Sequence, residues 1–124
     1  MFLIIFAGSA VFSDTATSGP QEDWSACRNL SGIDAVLGCT PIILHKFGDD
    51  KKLSRAFYLR GLNYLNLKDF RRAEIDFLDA ISLDPNNTIS YEQLIFIYNK
   101  LGRPSAAAQT KRKLREIREK SANR

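Results

Sequence analysis

The feature that most constrains this sequence is a pattern of apolar and small residues that occurs twice, about 34 residues apart. In the first copy, Phe57, Gly61 and Tyr64 lie at i, i+4 and i+7, which is the spacing of one helix face. Ala73 and Phe77 continue the same period in the segment that follows. The pattern predicts two amphipathic helices that pack against each other as a hairpin.

Turn residues separate the predicted helices. Asp69 is placed to cap the second helix, and Pro85 cannot continue it because proline lacks a backbone N–H. In the second copy, Tyr91, Tyr98 and Ala107 occupy the places of the earlier two aromatic residues and the alanine. A repeat of this length is typical of stacked helical hairpins.

The stretch from Ala56 to Pro85 resembles an almost complete tetratricopeptide repeat. The signature positions of that family are occupied here by Phe57, Gly61, Tyr64, Ala73, Phe77, Ala80 and Pro85. The resemblance implies an all-α fold, a short right-handed α-solenoid of antiparallel helix hairpins with about two and a half repeat units. We predict these positions to form the repeat core, in which small residues allow close helix contact and aromatic residues fill the volume between helices.

Weaker versions of the pattern flank the clear unit at 54–86. A divergent unit at 88–120 ends in a polar helix of the kind that caps a solenoid. Residues 24–45 resemble a degenerate first unit, in which Ala35 and Cys39 take the positions of Ala73 and Phe77.

The amino terminus carries an apolar run from Phe2 to Phe12 that no lysine or arginine precedes. The run is shorter than the roughly 20 residues of a bilayer span and fits the hydrophobic region of a secretory signal. We expect cleavage near Ala10–Ser13 and export to a bacterial periplasm or the cell exterior; a buried strand or helix start is the alternative. The predicted organisation is a signal peptide at 1–13, a flexible mature terminus at 14–23, a helical domain at 24–120 and a tail at 121–124.

Cys27 and Cys39 are the only two cysteines, and a secreted chain would oxidise them. Two buried free thiols are the alternative. A zinc site is disfavoured because no second cysteine pair exists and His45 is the only histidine. The arrangement resembles small secreted bacterial tetratricopeptide proteins, which implies a Cys27–Cys39 disulfide in the first hairpin.

No catalytic constellation can be identified in the sequence. It has no phosphate-binding glycine loop, no paired metal ligands and no acid–base dyad, so we expect neither an enzyme nor a cofactor. We interpret Asp76, Asp79, Arg71 and Arg72 as a solvated helix face.

The net charge of +4 arises at the carboxyl end of the chain. Residues 111–124 contain seven basic and two acidic residues, a net of +5, whereas the other 110 residues have eleven basic and twelve acidic ones, a net of −1. The basic segment lacks the interleaved aromatic residues that bind bases, so nucleic acid is a disfavoured partner. Contact of this tail with an anionic membrane is disfavoured as well, and a solvated capping helix is the preferred interpretation.

The family resemblance implies a non-catalytic protein–protein interaction module that binds a peptide or helix in a concave groove. In the family, first-helix residues that lie off the packed face line that groove. Carried over, these are Arg55, Tyr58, Leu62, Leu65 and Asn66 in the clear unit and Ile89, Glu92, Phe96, Asn99 and Lys100 in the divergent one. The Lys/Asn set with which family members grip a chaperone's terminal carboxylate is missing, so that partner is disfavoured.

Two alternatives to a separate peptide partner remain. In the first, the chain's own terminal helix or a second copy of the chain fills the groove. In the second, the protein is an assembly subunit whose repeats serve self-association or the formation of envelope complexes.

Overall fold

The computed structural model describes residues 19–124, which form helices joined by short turns and contain no strand. The helices are α1 (Pro20–Asn29), α2 (Gly32–Leu44), α3 (Asp50–Asn66), α4 (Phe70–Leu83), α5 (Thr88–Lys100) and α6 (Pro104–Ala122). Consecutive helices pair as the hairpins α1–α2, α3–α4 and α5–α6, and packing of α2 on α3 and of α4 on α5 stacks them. The predicted all-α fold of stacked helical hairpins is confirmed. The predicted signal peptide and its cleavage region lie outside the described residues.

Side-chain caps and prolines define where the helices begin. Asp49, Asp69 and Asn87 precede α3, α4 and α5, and each side-chain oxygen accepts a hydrogen bond from the backbone N–H three residues later, at 2.8, 3.1 and 3.3 Å. These bonds satisfy N–H groups that have no partner inside the helix. Pro20 and Pro104 open α1 and α6, where the missing N–H costs nothing.

Two helix details differ from the sequence expectation. Helix α1 begins at Pro20 instead of Trp24, since a proline at the first helical position already has the φ of a helix. Helix α6 runs two residues beyond Lys120.

The apolar interior of the described residues divides into three clusters, one for each region of the stack. The largest lies where the second and third hairpins meet and consists of Ala73, Phe77, Leu94, Ile97, Tyr98 and Ala107. A second, in the first hairpin and against α3, consists of Cys27, Cys39, Ile42, Leu53 and Ala56. A third joins α5 to α6 through Tyr91, Leu114 and Ile117.

Two glycines mark close helix contacts. A Cβ atom at Gly61 would lie 2.9 Å from Cε1 of Phe77, so α3 and α4 pack closely at this point. A Cβ atom at Gly38 would lie 2.6 Å from the Cβ of Ala26, which gives α1 and α2 an equivalent close contact. The role predicted for Gly61 follows from this geometry, whereas that of Gly38 was not predicted.

The remaining signature residues differ in burial. Ala73, Phe77 and Ala80 are fully buried, and Tyr64 is half-buried against the largest cluster. Phe57 is also half-buried, and the guanidinium of Arg60 lies 5.6 Å from its ring centroid. Pro85 is exposed and is not part of the core, because it follows the end of α4 and lies in the turn before α5. Its carbonyl accepts a hydrogen bond from the Tyr91 hydroxyl at 3.2 Å.

The interpretation of Asp76 as part of a solvated face is wrong. The Asp76 side chain is 2% exposed and binds Arg60 through two hydrogen bonds of 2.8 Å, one to each carboxylate oxygen. Arg60 also donates a hydrogen bond to the Thr40 hydroxyl at 3.3 Å, so one guanidinium joins α2, α3 and α4. Burial raises the pKa of Asp76, and the hydrogen bonds from Arg60 oppose that rise.

Candidate interaction groove

The first helices of the three hairpins, α1, α3 and α5, border a row of surface depressions that we call the first-helix face. One depression, between α1 and α3, is lined by Gln21, Trp24, Arg28, Lys52 and Arg55. A second, between the amino-terminal ends of α3 and α5, is also bordered by Arg55, so the two are adjacent. A third lies between the carboxyl-terminal ends of α3 and α5. The face therefore extends along the full length of α3.

Most of the predicted groove residues line these depressions. They are Arg55, Tyr58 and Ile89 in the second depression and Leu65, Asn66, Phe96 and Lys100 in the third. Of the other three, Glu92 and Asn99 are exposed on α5, and Leu62 is half-buried. Their part in partner binding stays a prediction.

Several apolar residues of the face also support the fold. Tyr58, Leu62 and Leu65 pack against the largest core cluster, and the Tyr58 ring centroid lies 5.9 Å from that of Phe77. Burial raises the pKa of Tyr58, and the negative charge of Glu92 raises it further. These side chains are less open than the sequence predicted, because they pack against a cluster to which α4, α5 and α6 contribute.

Phe96 is the most open aromatic residue of the face. Its side chain is 45% exposed, and the ammonium of Lys100 lies 5.6 Å from its ring centroid. Leu65 and Phe70 border the same depression, so an apolar surface surrounds the Phe96 ring. Phe70 was not predicted as a site residue. The sequence feature that could have indicated it is an aromatic residue directly after Asp69, the cap of α4.

The other end of the face is cationic. Arg28, Lys51, Lys52 and Arg55 are exposed there, and none of them forms an ion pair with another residue of the described chain. We call these four residues the cationic cluster. Only Arg55 was predicted as a site residue, because the others lie in the degenerate unit and in the first turn of α3.

The Trp24 indole in the same depression is held by one hydrogen bond. Its Nε1–H donates to the Phe47 carbonyl at 3.3 Å, and the half-buried ring packs against the cluster of the first hairpin. The Nε–H of Arg28, one turn later on α1, donates to the Trp24 carbonyl at 3.2 Å. Both residues thus have a defined position beside the depression.

Glu92 introduces a negative charge at the middle of the face, but Arg118 of α6 pairs with it. The ion pair links α5 to the last helix and compensates the carboxylate locally. No residue of the cationic cluster forms an ion pair of this kind within the described residues.

Within residues 19–124, no group of three or more His, Cys, Asp and Glu side chains is arranged to hold a metal ion. His45 is exposed and stacks on Phe47 with a centroid distance of 5.3 Å. None of the described helices combines the length and the apolar character needed to cross a membrane.

Comparison with known proteins gives one match. A family model described as tetratricopeptide repeat matches residues 54–87, which cover most of α3, all of α4 and the turn that follows. No curated protein and no solved structure matches the chain. Tetratricopeptide repeats are in general protein-interaction modules and are generally not catalytic. The α3–α4 hairpin thus matches a tetratricopeptide repeat, and it is stacked between two further helical hairpins.

Proposed function

We propose that the first-helix face binds a peptide or helix of a partner protein, and that the chain is not an enzyme. The observation that carries this proposal is the exposed ring of Phe96 in a depression that Leu65 and Phe70 also border. When a partner removes an apolar surface of this kind from water, the hydrophobic effect stabilises the complex. Exposed aromatic anchors of this type commonly supply much of the binding energy of an interface.

Site-specific photo-cross-linking in the native host tests this proposal. A photoreactive residue replaces Asn66, which is exposed beside the Phe96 depression, and a matched variant carries it at Gln109, which is exposed on α6. We expect adducts of a defined mass from position 66 and none from position 109. Adducts from position 109 alone would place the interaction outside the first-helix face.

A second candidate function, self-association as an assembly subunit, is favoured by one observation. Ile33, Leu37 and Leu44 form a stripe along α2 and are each more than half exposed. Asp34 is the only charged residue of this helix. A second copy of α2 could therefore cover the stripe with little burial of charge.

Light scattering at graded protein concentration separates the two functions. Self-association through α2 predicts a mass that rises with concentration in the absence of any ligand, and Leu37→Lys should restore the monomer. If the parent protein stays monomeric at every concentration, self-association is excluded and peptide binding is the function that remains of the two.

We also propose that the mature chain is exported. The apolar run at the amino terminus and the Cys27–Cys39 disulfide of the structure, with 4.5 Å between the two Cα atoms, support this proposal. Disulfides persist in oxidising compartments. The intact mass of protein from the native host tests it, since cleavage near Ala10–Ser13 removes a defined peptide. A chain that still begins at Met1 and carries two free thiols would contradict export.

A further inference from the structure

We infer that the partner of the first-helix face carries acidic side chains, which dock on the cationic cluster of Arg28, Lys51, Lys52 and Arg55. This inference rests on the proposed function and specifies the chemistry of the partner and its direction along the face.

The first step is that these four cations come from two helices and border neighbouring depressions. Lys52 and Arg55 are three residues apart on α3 and therefore adjacent on its surface. Arg28 reaches the same depression from α1, and Lys51 borders the neighbouring one. Like charges held this close repel each other, and low-dielectric walls increase the positive potential inside a depression.

The second step is that no ion pair within the described chain neutralises these cations, whereas Arg60, Arg72, Arg103 and three basic residues of α6 each have a carboxylate partner. Eight other cations also lack an ion pair, but none of them borders the depression between α1 and α3. Three cations and no carboxylate line that depression. A carboxylate from a partner would supply the missing counter-charge.

The third step distinguishes a polypeptide from other polyanions. Asp84 borders the second depression, so a uniformly charged phosphate backbone that followed α3 would meet a negative charge there. An acidic peptide can place carboxylates at the cationic cluster and an apolar side chain at the Phe96 depression, as the two ends of the face require.

The length of α3 then sets the spacing within the partner. Lys52 and Leu65 are thirteen residues apart on this helix, or about 20 Å at 1.5 Å per residue. An extended partner spans that distance with about six residues at 3.3 Å each. A helical partner needs about thirteen residues. We expect the acidic group and the apolar residue of the partner at one of these two spacings.

Selection from a displayed library of random peptides of about 16 residues tests the inference on the full chain, because that length covers both spacings. The proteins compared are the parent, the variant Lys52→Glu with Arg55→Glu, and a control, Arg71→Glu with Arg112→Glu. The control makes the same change in net charge at exposed residues of α4 and α6 that form no ion pair within the described chain. Thermal unfolding followed by circular dichroism establishes that all three are folded.

We expect the parent and the control to enrich Asp and Glu, and the Lys52→Glu, Arg55→Glu variant to enrich Lys and Arg instead. A peptide selected by the parent should bind that variant about tenfold more weakly, since each exposed charge pair changes affinity by roughly two- to fivefold. Its affinity should also fall as the salt concentration rises.

Three outcomes would overturn the inference. In the first, the parent selects peptides that show no acidic preference and that no longer bind the Phe96→Ala variant. This result would support the proposed function and refute the acidic partner. No enrichment by any of the proteins would refute both. Binding of a labelled single-stranded oligonucleotide that competes with the peptide and is lost in the Lys52→Glu, Arg55→Glu variant would assign the cluster to nucleic acid instead.

Discussion

Breaking the Arg60–Asp76 pair by removing one partner should cost far more stability than breaking a surface ion pair of this chain. Its two hydrogen bonds of 2.8 Å are made by side chains that are 17% and 2% exposed. Removing one partner of a buried pair leaves an uncompensated charge and typically costs 3–5 kcal/mol. Because Arg60 keeps some contact with solvent, we expect Arg60→Met to destabilise the protein by about 3 kcal/mol, the lower end of that range.

The matched control is Arg103→Met, which removes the exposed pair between Arg103 and Glu74. That change should cost no more than about 1 kcal/mol, because exposed pairs gain little from Coulomb attraction in water. Urea unfolding followed by circular dichroism measures both variants. The double variant Arg60→Met, Asp76→Leu should lie within about 1 kcal/mol of the parent, because it buries no charge.

The pH dependence of Arg60→Met has a definite sign. Without Arg60, the pKa of Asp76 loses the hydrogen bonds that lower it, so burial raises it further above its unfolded value. The folded state then binds the proton more tightly than the unfolded state, and stability increases as pH falls from 7 towards about 4. The deficit of Arg60→Met should therefore shrink at acid pH, and the double variant should show no such recovery. The reasoning is refuted if Arg60→Met costs no more than Arg103→Met, or if the double variant loses the sum of the two single changes.

Three further predictions concern the core, the disulfide and the face. Gly61→Leu should cost at least about 2 kcal/mol in urea unfolding, because its Cβ alone would lie 2.9 Å from Phe77, whereas Arg71→Ala should stay within about 0.5 kcal/mol of the parent. Replacing both Cys27 and Cys39 by serine should cost about 3 kcal/mol, the chain entropy of so short a loop, and an unchanged unfolding midpoint would exclude this contribution. Phe96→Ala should weaken binding of the partner at least tenfold in a titration, because ring truncation at an interface anchor often costs about 2 kcal/mol or more. The melting temperature should not change. Equal affinity of the variant and the parent would exclude the Phe96 depression as the binding site.

The fold could be predicted from the sequence because its determinants are local and periodic. Gly61 and Phe77 each stand at a fixed place in a helical period, and a small residue opposite a large one needs no knowledge of distant parts of the chain. The same holds for Asp69, whose capping role depends on the backbone N–H three residues later.

The polar contacts could not be predicted in this way. Charged residues on a helix are usually solvated, so the pattern alone gave no reason to bury Asp76. Its pairing with Arg60 depends on the turn between α3 and α4, which brings residues 60 and 76 together across the hairpin. The cationic cluster has the same origin, since Arg28 and Arg55 share a depression only after the first hairpin packs on the second.

The position of the cationic cluster depends on a chain of specific contacts that begins in the first hairpin. The Cys27–Cys39 disulfide fixes α1 to α2 beside Arg28, and the Arg60–Thr40 hydrogen bond fixes α2 to α3. A further bond of 2.8 Å from the Gly32 N–H to the Asn63 side chain joins the start of α2 to α3. None of these contacts involves α5, which carries Phe96. The disulfide and the polar contacts of α2 therefore tie the cationic end of the first-helix face to the first hairpin, whereas apolar packing between the second and third hairpins supports the aromatic end.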